Sequence, residues 1–446
     1  MRARSLLQSA GLILAIAVVR FDSAAPSAHD SPADRYWPQW RGPHADGTSP
    51  TADPPVQWSE TSNVRWKVEV PGRGHSSPIV WGDRVFVTTA VPVDVSGDAQ
   101  HAPRGGLQPR GGHQFKLIAL DRATGRTVWE RTARQAEPHE AGHPENSSWA
   151  SSSPFTDGES IFAYFESFGL YAYDMNGTPR WQKVLGQKRM RNQFGEGSTP
   201  ALHGNTIVIV WDHLNGDGSF IVALDKRDGR ELWRVARPEI DTWATPLALD
   251  VDGRAQVIVP GMKRIRSYDL QTGEIVWESA GLTMNPIPSP LYSDGLVFLM
   301  SGFQGNALKA VRVANARGNL DGTGAIAWTY DRDTPYVPSP VISGGVLYML
   351  KSNTGILSAF DARSGAPHFQ NRRLEDVPEV FSSPVAAAGR VYITSREGVT
   401  LVLRAGAAFE IVGKNRLEDG VDASPALVDR QIFLRGHKYL YALAPN

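Results

Sequence analysis

The chain has 446 residues, with 46 Lys+Arg against 46 Asp+Glu, 43 Gly, 31 Pro, 13 Trp and no Cys. A formal net charge of zero sets it apart from proteins that neutralise nucleic-acid phosphates, which carry a strong basic excess, so no nucleic-acid partner is expected. Without cysteine there is no disulfide, no thiolate metal site, no cysteine nucleophile and no sulfur to receive a bacterial lipid anchor.

The chain opens on the basic stretch Met1-Arg2-Ala3-Arg4, followed by an apolar run from Leu6 to Val19 and small residues at Ser23-Ala24-Ala25 and Ser27-Ala28. This is the layout of a secretory signal peptide, read over residues 1–28. The uninterrupted apolar stretch Gly11 to Val19 is about half of what a spanning helix needs, so no transmembrane segment is expected after export. The mature protein is expected in the periplasm or secreted, as a monomer. Residues 29–62 form an N-terminal extension.

At about 150 residues per domain the length suggests three domains, but single all-β architectures exceed that figure, so the count has to come from pattern. A repeat supplies it. A small-x-Pro triplet opens a unit at Ser76-Ser77-Pro78 and returns at Ser152-Ser153-Pro154, Ser198-Thr199-Pro200, Ala244-Thr245-Pro246, Pro288-Ser289-Pro290, Pro338-Ser339-Pro340, Ser382-Ser383-Pro384 and Ala423-Ser424-Pro425. Each triplet leads through a polar or Gly turn into a β-rich run such as Arg84-Val85-Phe86-Val87 or Thr206-Ile207-Val208-Ile209-Val210.

A third strand then ends on an acidic residue and a Gly turn before a fourth that carries Trp, as in Leu117 to Asp121, Thr124-Gly125 and Trp129. The same order gives Trp181, Trp233 and Trp277; later units put Trp328 after an insertion, Phe369 in the Trp place, and in the seventh only Phe409 nearby. Four short strands cannot bury both faces of their sheet alone, so neighbouring sheets stack in a ring and cover one another. A large Trp at a fixed place suits an anchor docking on the next sheet.

The last unit stops at Tyr439-Leu440-Tyr441-Ala442-Leu443 without its Trp strand, and Asn63 to Val70, ahead of the first triplet, has that pattern. Residues 63–446 therefore read as one all-β, eight-bladed β-propeller closed by the N-terminal strand completing the last blade.

The repeated small-Ser-Pro opening, with Leu-Ile-Ala-Leu-Asp, Thr-Gly and Trp, resembles the PQQ-type propeller repeat shared by quinoprotein alcohol dehydrogenases and BamB-type outer-membrane assembly factors. Trp37-Pro38-Gln39-Trp40-Arg41-Gly42-Pro43 is similar to the lead-in of exported bacterial PQQ-like repeat proteins. The resemblance implies the fold from about residue 37 onward, and two functions. One is a PQQ-dependent oxidoreductase of alcohols or sugars, with the quinone on the channel axis, Ca²⁺ nearby and Asp241 or Glu379 as base. The other is a scaffold of the cell envelope. The dehydrogenases hold the quinone with two adjacent cysteines and BamB-type proteins are lipidated on cysteine; this chain has neither. The favoured reading is a non-catalytic, exported binding or scaffold protein, with the quinoprotein as the alternative.

His139-Glu140-Ala141-Gly142-His143 matches the string that holds zinc on a helix, but flanking Pro138 and Pro144 and internal Gly142 argue against a helix there. Asp212 to Gly218 and Asn319 to Gly324 read as turns, and Val91 to Gln114 as an insertion between the second and third strands of the first unit. No metal ligands are assigned.

Propeller sites form where loops converge on the channel. The loops entering the inner strands bring Arg73, His75, Trp149, Glu196, Asp241, Trp243, Asn285, Tyr336, Glu379 and Asp422; the turns between second and third strands bring Asp212, Lys263, Arg264, Gln304, Asn306, Lys351, Asn353, Arg396, Glu397, Arg435 and His437. Convergence of Lys263, Lys351, Arg396 and Arg435 would suit a small anionic ligand, such as a carboxylated quinone, or an acidic stretch of a protein partner.

Overall fold

A computed structural model describes residues 31–93, 111–143 and 145–445. The expected signal peptide and the middle of the Val91–Gln114 insertion lie outside the described residues. The strands form eight sheets. Blade 1 is Ile79–Trp81, Arg84–Pro92, His113–Asp121 and Thr127–Ala136; blades 2 to 7 follow within residues 155–183, 201–236, 247–280, 291–330, 341–373 and 385–416. Blade 8 joins Ala426–Val428, Gln431–Arg435 and Tyr439–Leu443 to Val64–Glu69, so the first long strand of the repeat region is the outer strand of the last blade. Trp66 stands opposite Ala442, the register that sets Trp129 opposite Ala119 in blade 1. Helix among the described residues is confined to three short 3₁₀ turns, Pro32–Arg35, Glu166–Phe168 and Arg191–Gln193.

Two repeated devices join the blades. On the outside, each indole docks on the turn of the next blade and donates its Nε1 proton to a carbonyl there: Trp66 to Arg122 at 2.9 Å, Trp129 to Met175 at 3.2 Å, Trp181 to Lys226 at 2.9 Å, Trp233 to Leu270 at 2.9 Å and Trp328 to Ala362 at 3.1 Å. The turn glycine is required twice over. Gly125 has φ of 73°, and a Cβ there would stand 2.7 Å from the Trp66 ring.

Around the channel, the middle residue of every triplet is Ser or Thr, and its backbone N–H donates to the hydroxyl of the next. The chain of bonds runs from Ser77 to Ser153, Thr199, Thr245, Ser289, Ser339, Ser383 and Ser424 and back to Ser77, each 2.9–3.1 Å long. The circle of bonds is closed through all eight blades.

Where the Trp device fails, another segment substitutes. Trp277 is fully buried under the blade 5 insertion, whose Gly318–Asn319 runs parallel to Trp277 and Glu278. In blade 7 the residue in the Trp register is Gly413, opposite Val402. The space is taken by the N-terminal extension: a Cβ on Gly413 would lie 2.5 Å from the Val56 carbonyl, and Trp58 is buried beside it with its N–H on Asn415 Oδ1 at 2.7 Å. Phe409, expected near the Trp place of this unit, instead packs edge-on against Phe369 of blade 6, 5.4 Å between ring centroids.

The rest of the extension crosses the channel. Trp37 exchanges backbone hydrogen bonds with Val80 of blade 1 (3.0 and 2.8 Å), Pro38 accepts one from Thr156 of blade 2 (2.9 Å), and Thr48–Ser49 pairs in parallel with Ala386–Ala387 of blade 7. Arg41 is buried, its guanidinium donating to the carbonyls of Pro384, at 3.0 Å, and of Pro340. These contacts bear on the inner strands rather than on the loops that enter them, so the extension closes one end and leaves the loop end as the mouth.

Candidate functional site

A cavity of about 240 Å³ occupies the mouth. Its wall has a simple rule: the residue immediately before each triplet lines it. These are His75, Ser151, Gly197, Trp243, Ile287, Val337, Phe381 and Asp422, one from each blade. Below them lie ring hydroxyls, including Ser153, Thr199 and Thr245, and Trp40 of the extension; Phe194, Glu196, Tyr336, Asn146 and Asn353 complete the wall. An inner strand begins directly after its triplet, and the triplet is held in the ring of hydroxyls, so the preceding side chain is the last that the ring can hold over the axis.

Of the expected site residues, His75, Glu196, Trp243, Tyr336, Asn353 and Asp422 are in this cavity. Trp243 is fixed in place by Nε1 donating to the Gly195 carbonyl at 2.8 Å. Trp149 lines a separate space of about 20 Å³, with Glu140, Glu166 and Glu196, and donates to the Glu140 carbonyl at 3.2 Å. Asp241 and Asn285 are buried beneath the lip, Asp241 accepting the Arg191 N–H at 3.0 Å.

The cations do not converge. Lys263 donates to the Pro238 carbonyl at 2.9 Å, Arg264 pairs with Asp321 of the insertion at 3.3 Å, and Lys351 pairs with Asp333 at 2.8 Å. Arg435 is buried, donating to Ser76 Oγ at 2.6 Å and the Thr88 carbonyl at 2.5 Å, and burial without a carboxylate partner pulls its pKa down to about 9. Arg396 reaches Asp422 (3.0 Å) and Glu379 (3.3 Å) from behind the wall. The physical reason is distance from the axis. Second strands stand one spacing, about 4.8 Å, outside the inner ones, and side chains there meet local acceptors first.

The wall's charges are already matched. Burial raises the Asp422 carboxyl, but the His437 hydrogen bond (3.0 Å) and the charge of Arg396 outweigh it and hold the group at about 2. Burial keeps His75 neutral, its pKa down to about 3. Glu196 faces Lys188 at 3.4 Å; Lys188 also lies 3.6 Å from Glu166, whose carboxyl burial pushes up to about 8.

The His139–His143 string lies on irregular backbone, as its prolines imply. His139 Nε2 is 2.7 Å from the Lys188 carbonyl, Glu140 accepts the Met190 N–H at 3.0 Å, and His143 Nδ1 accepts those of Glu145 and Asn146 (3.3 and 3.2 Å). No group of three His, Asp or Glu among the described residues is placed to hold a metal ion.

The ring, with the last residues of the extension, matches one family model, described as outer membrane protein assembly factor BamB, over residues 53–213 and 217–446. The chain belongs to this family. A BamB from Francisella salina is 29% identical over 108 residues, which span 24% of this chain and 18% of that relative. Among solved structures, BamB from Moraxella catarrhalis aligns with a TM-score of 0.55 at 15% identity, covering 84% of this chain and 98% of that one. The computationally designed protein Ika8 aligns at 0.54 and 11%, covering 89% and 99%. At these identities both share the fold alone.

The quinone does not fit the mouth. A carboxylated quinone needs cations, and the wall has two carboxylates, Glu196 and Asp422, with no Lys or Arg among its described residues. The adjacent cysteines that the dehydrogenases use do not exist in this chain. The small anionic ligand expected from the sequence meets the same objection.

Proposed function

We propose that this protein is an exported, monomeric binding scaffold of the cell envelope, and that its ligand or partner engages the channel mouth. The observation that carries this reading is the blind cavity itself: one side chain from every blade, over a closed hydroxyl ring, with the far end sealed by the extension. Membership of the BamB family supports an envelope setting, and no described helix is long and apolar enough to cross a membrane. Matched charges on a fixed wall suit recognition by shape and hydrogen bonding.

Hydrogen exchange of the purified protein with and without cell-envelope extract tests it. The expected result is added protection in the loops entering the inner strands, including residues 145–153, 194–199 and 243–245. Protection confined to the outer strands, or none, overturns the mouth as the binding site.

A further inference from the structure

The eight residues before the triplets divide the mouth into unlike halves. Blades 4 to 7 contribute Trp243, Ile287, Val337 and Phe381; blades 8, 1, 2 and 3 contribute Asp422, His75, Ser151 and Gly197. One half is apolar and half aromatic. The other offers a carboxylate, a neutral imidazole and a hydroxyl.

Beneath both lie ring hydroxyls whose oxygens already accept a backbone N–H; their O–H protons have no acceptor among the described residues. Ser77, Ser153, Thr199, Ser383 and Ser424 are all at least nine-tenths buried. A hydroxyl in this state presents a donor to whatever fills the cavity. The floor is thus rich in donors and the polar wall holds acceptors.

The wall's two carboxylates are each paired from behind, Asp422 with Arg396 and Glu196 with Lys188, so the cavity has no unmatched charge for an ionic ligand to answer. Its volume of about 240 Å³ falls below the ~300–1,000 Å³ of pockets for drug-sized molecules, which leaves room for one small ring.

Resting on the mouth as the binding site, we infer that it takes a neutral sugar, a monosaccharide or the terminal residue of a glycan. The C–H face of the pyranose stacks on Trp243, and its hydroxyls give protons to Asp422 and accept them from the ring. A sugar satisfies both needs, since every hydroxyl is donor and acceptor at once. A charged ligand satisfies neither without breaking a wall pair.

The test is a neutral glycan array, followed by titration of hits as methyl glycosides while reading tryptophan fluorescence and heat. The expected result is saturable 1:1 binding with Kd of roughly 1 mM or tighter, weakened about tenfold or more by Trp243→Leu, since an aromatic platform supplies much of such a contact. Val128→Ala, on an exposed part of the outer strand of blade 1, is expected to bind as the wild type. No saturable neutral glycan on a folded protein, or tighter binding of a carboxylated sugar than of its neutral parent, overturns the inference. Envelope extract that protects the mouth while no sugar binds removes the sugar and leaves the binding site. Extract that gives no protection, with no sugar bound, removes both.

Discussion

The loops that enter the inner strands and the turns between the second and third strands face the same end of the ring, yet they differ in what they do. The loops deliver one side chain per blade to a common cavity. The turns spend their polar side chains on neighbours: Lys351 on Asp333, Arg264 on Asp321, and Asp212 on Arg237, where both side chains are fully buried. Asn353 is the turn residue that reaches the cavity, its Oδ1 accepting the Val337 N–H at 3.0 Å, while the charged turn residues, one strand spacing out, serve as structural glue.

That contrast can be broken at several strengths. Asp212 belongs to the turns, accepting from Arg237 Nε at 2.9 Å and from Thr242 Oγ1 at 2.7 Å. Asp212→Ala strands the buried guanidinium and is expected to cost about 3–5 kcal/mol, read by denaturant unfolding, without the wall losing a residue.

The Glu166–Lys188–Glu196 group behind the wall gives a pH signature. The folded Glu166 carboxyl titrates at about 8, above its unfolded value of 4.5, so the folded state binds the extra proton. Stability is then expected to fall as pH rises from about 4.5 to 8 and to level off beyond. Glu166→Gln should flatten that slope in melting experiments; an unchanged slope would assign it to other groups.

Breaking one link of the hydroxyl ring has a smaller effect. Ser383→Ala leaves the buried Ser339 N–H without its acceptor, at about 1–3 kcal/mol. Lys351→Ala sits at the bottom of the scale. Its pair with Asp333 is half-exposed, so stability should change by about 1 kcal/mol or less and mouth binding by nothing measurable. A large loss of binding there would restore the basic ring that the geometry dissolves.

Most of the fold was legible. Eight triplets, a Trp at a fixed offset and a terminal strand without its partner specify blade number and closure because those features recur at short range. The blade 7 anchor was not, since Gly413 is completed by Val56 and Trp58, some 350 residues away in the chain, and a period search registers only a missing Trp. The cation cluster failed for a related reason: Lys263, Arg396 and Arg435 share a place in the repeat, but a repeat does not state distance from the axis.

Two further signals lie in the repeat itself. The triplet's middle residue is Ser or Thr in all eight units, from Ser77 to Ser424, and the residue before it is the wall, which brings in Phe381 and Ile287 as well as His75 and Trp243. Trp40 and Phe194 carry no such register, because one comes from the extension and the other from a loop several residues away from its triplet.

Fluorotryptophan labelling separates the two kinds of tryptophan directly. With ¹⁹F resonances assigned by single Trp→Phe variants, envelope extract is expected to shift Trp243 and Trp40 while Trp129, Trp181 and Trp233, locked between blades, stay in place. Shifts in the interblade set with Trp243 and Trp40 unmoved would contradict the channel mouth as the site where this protein binds.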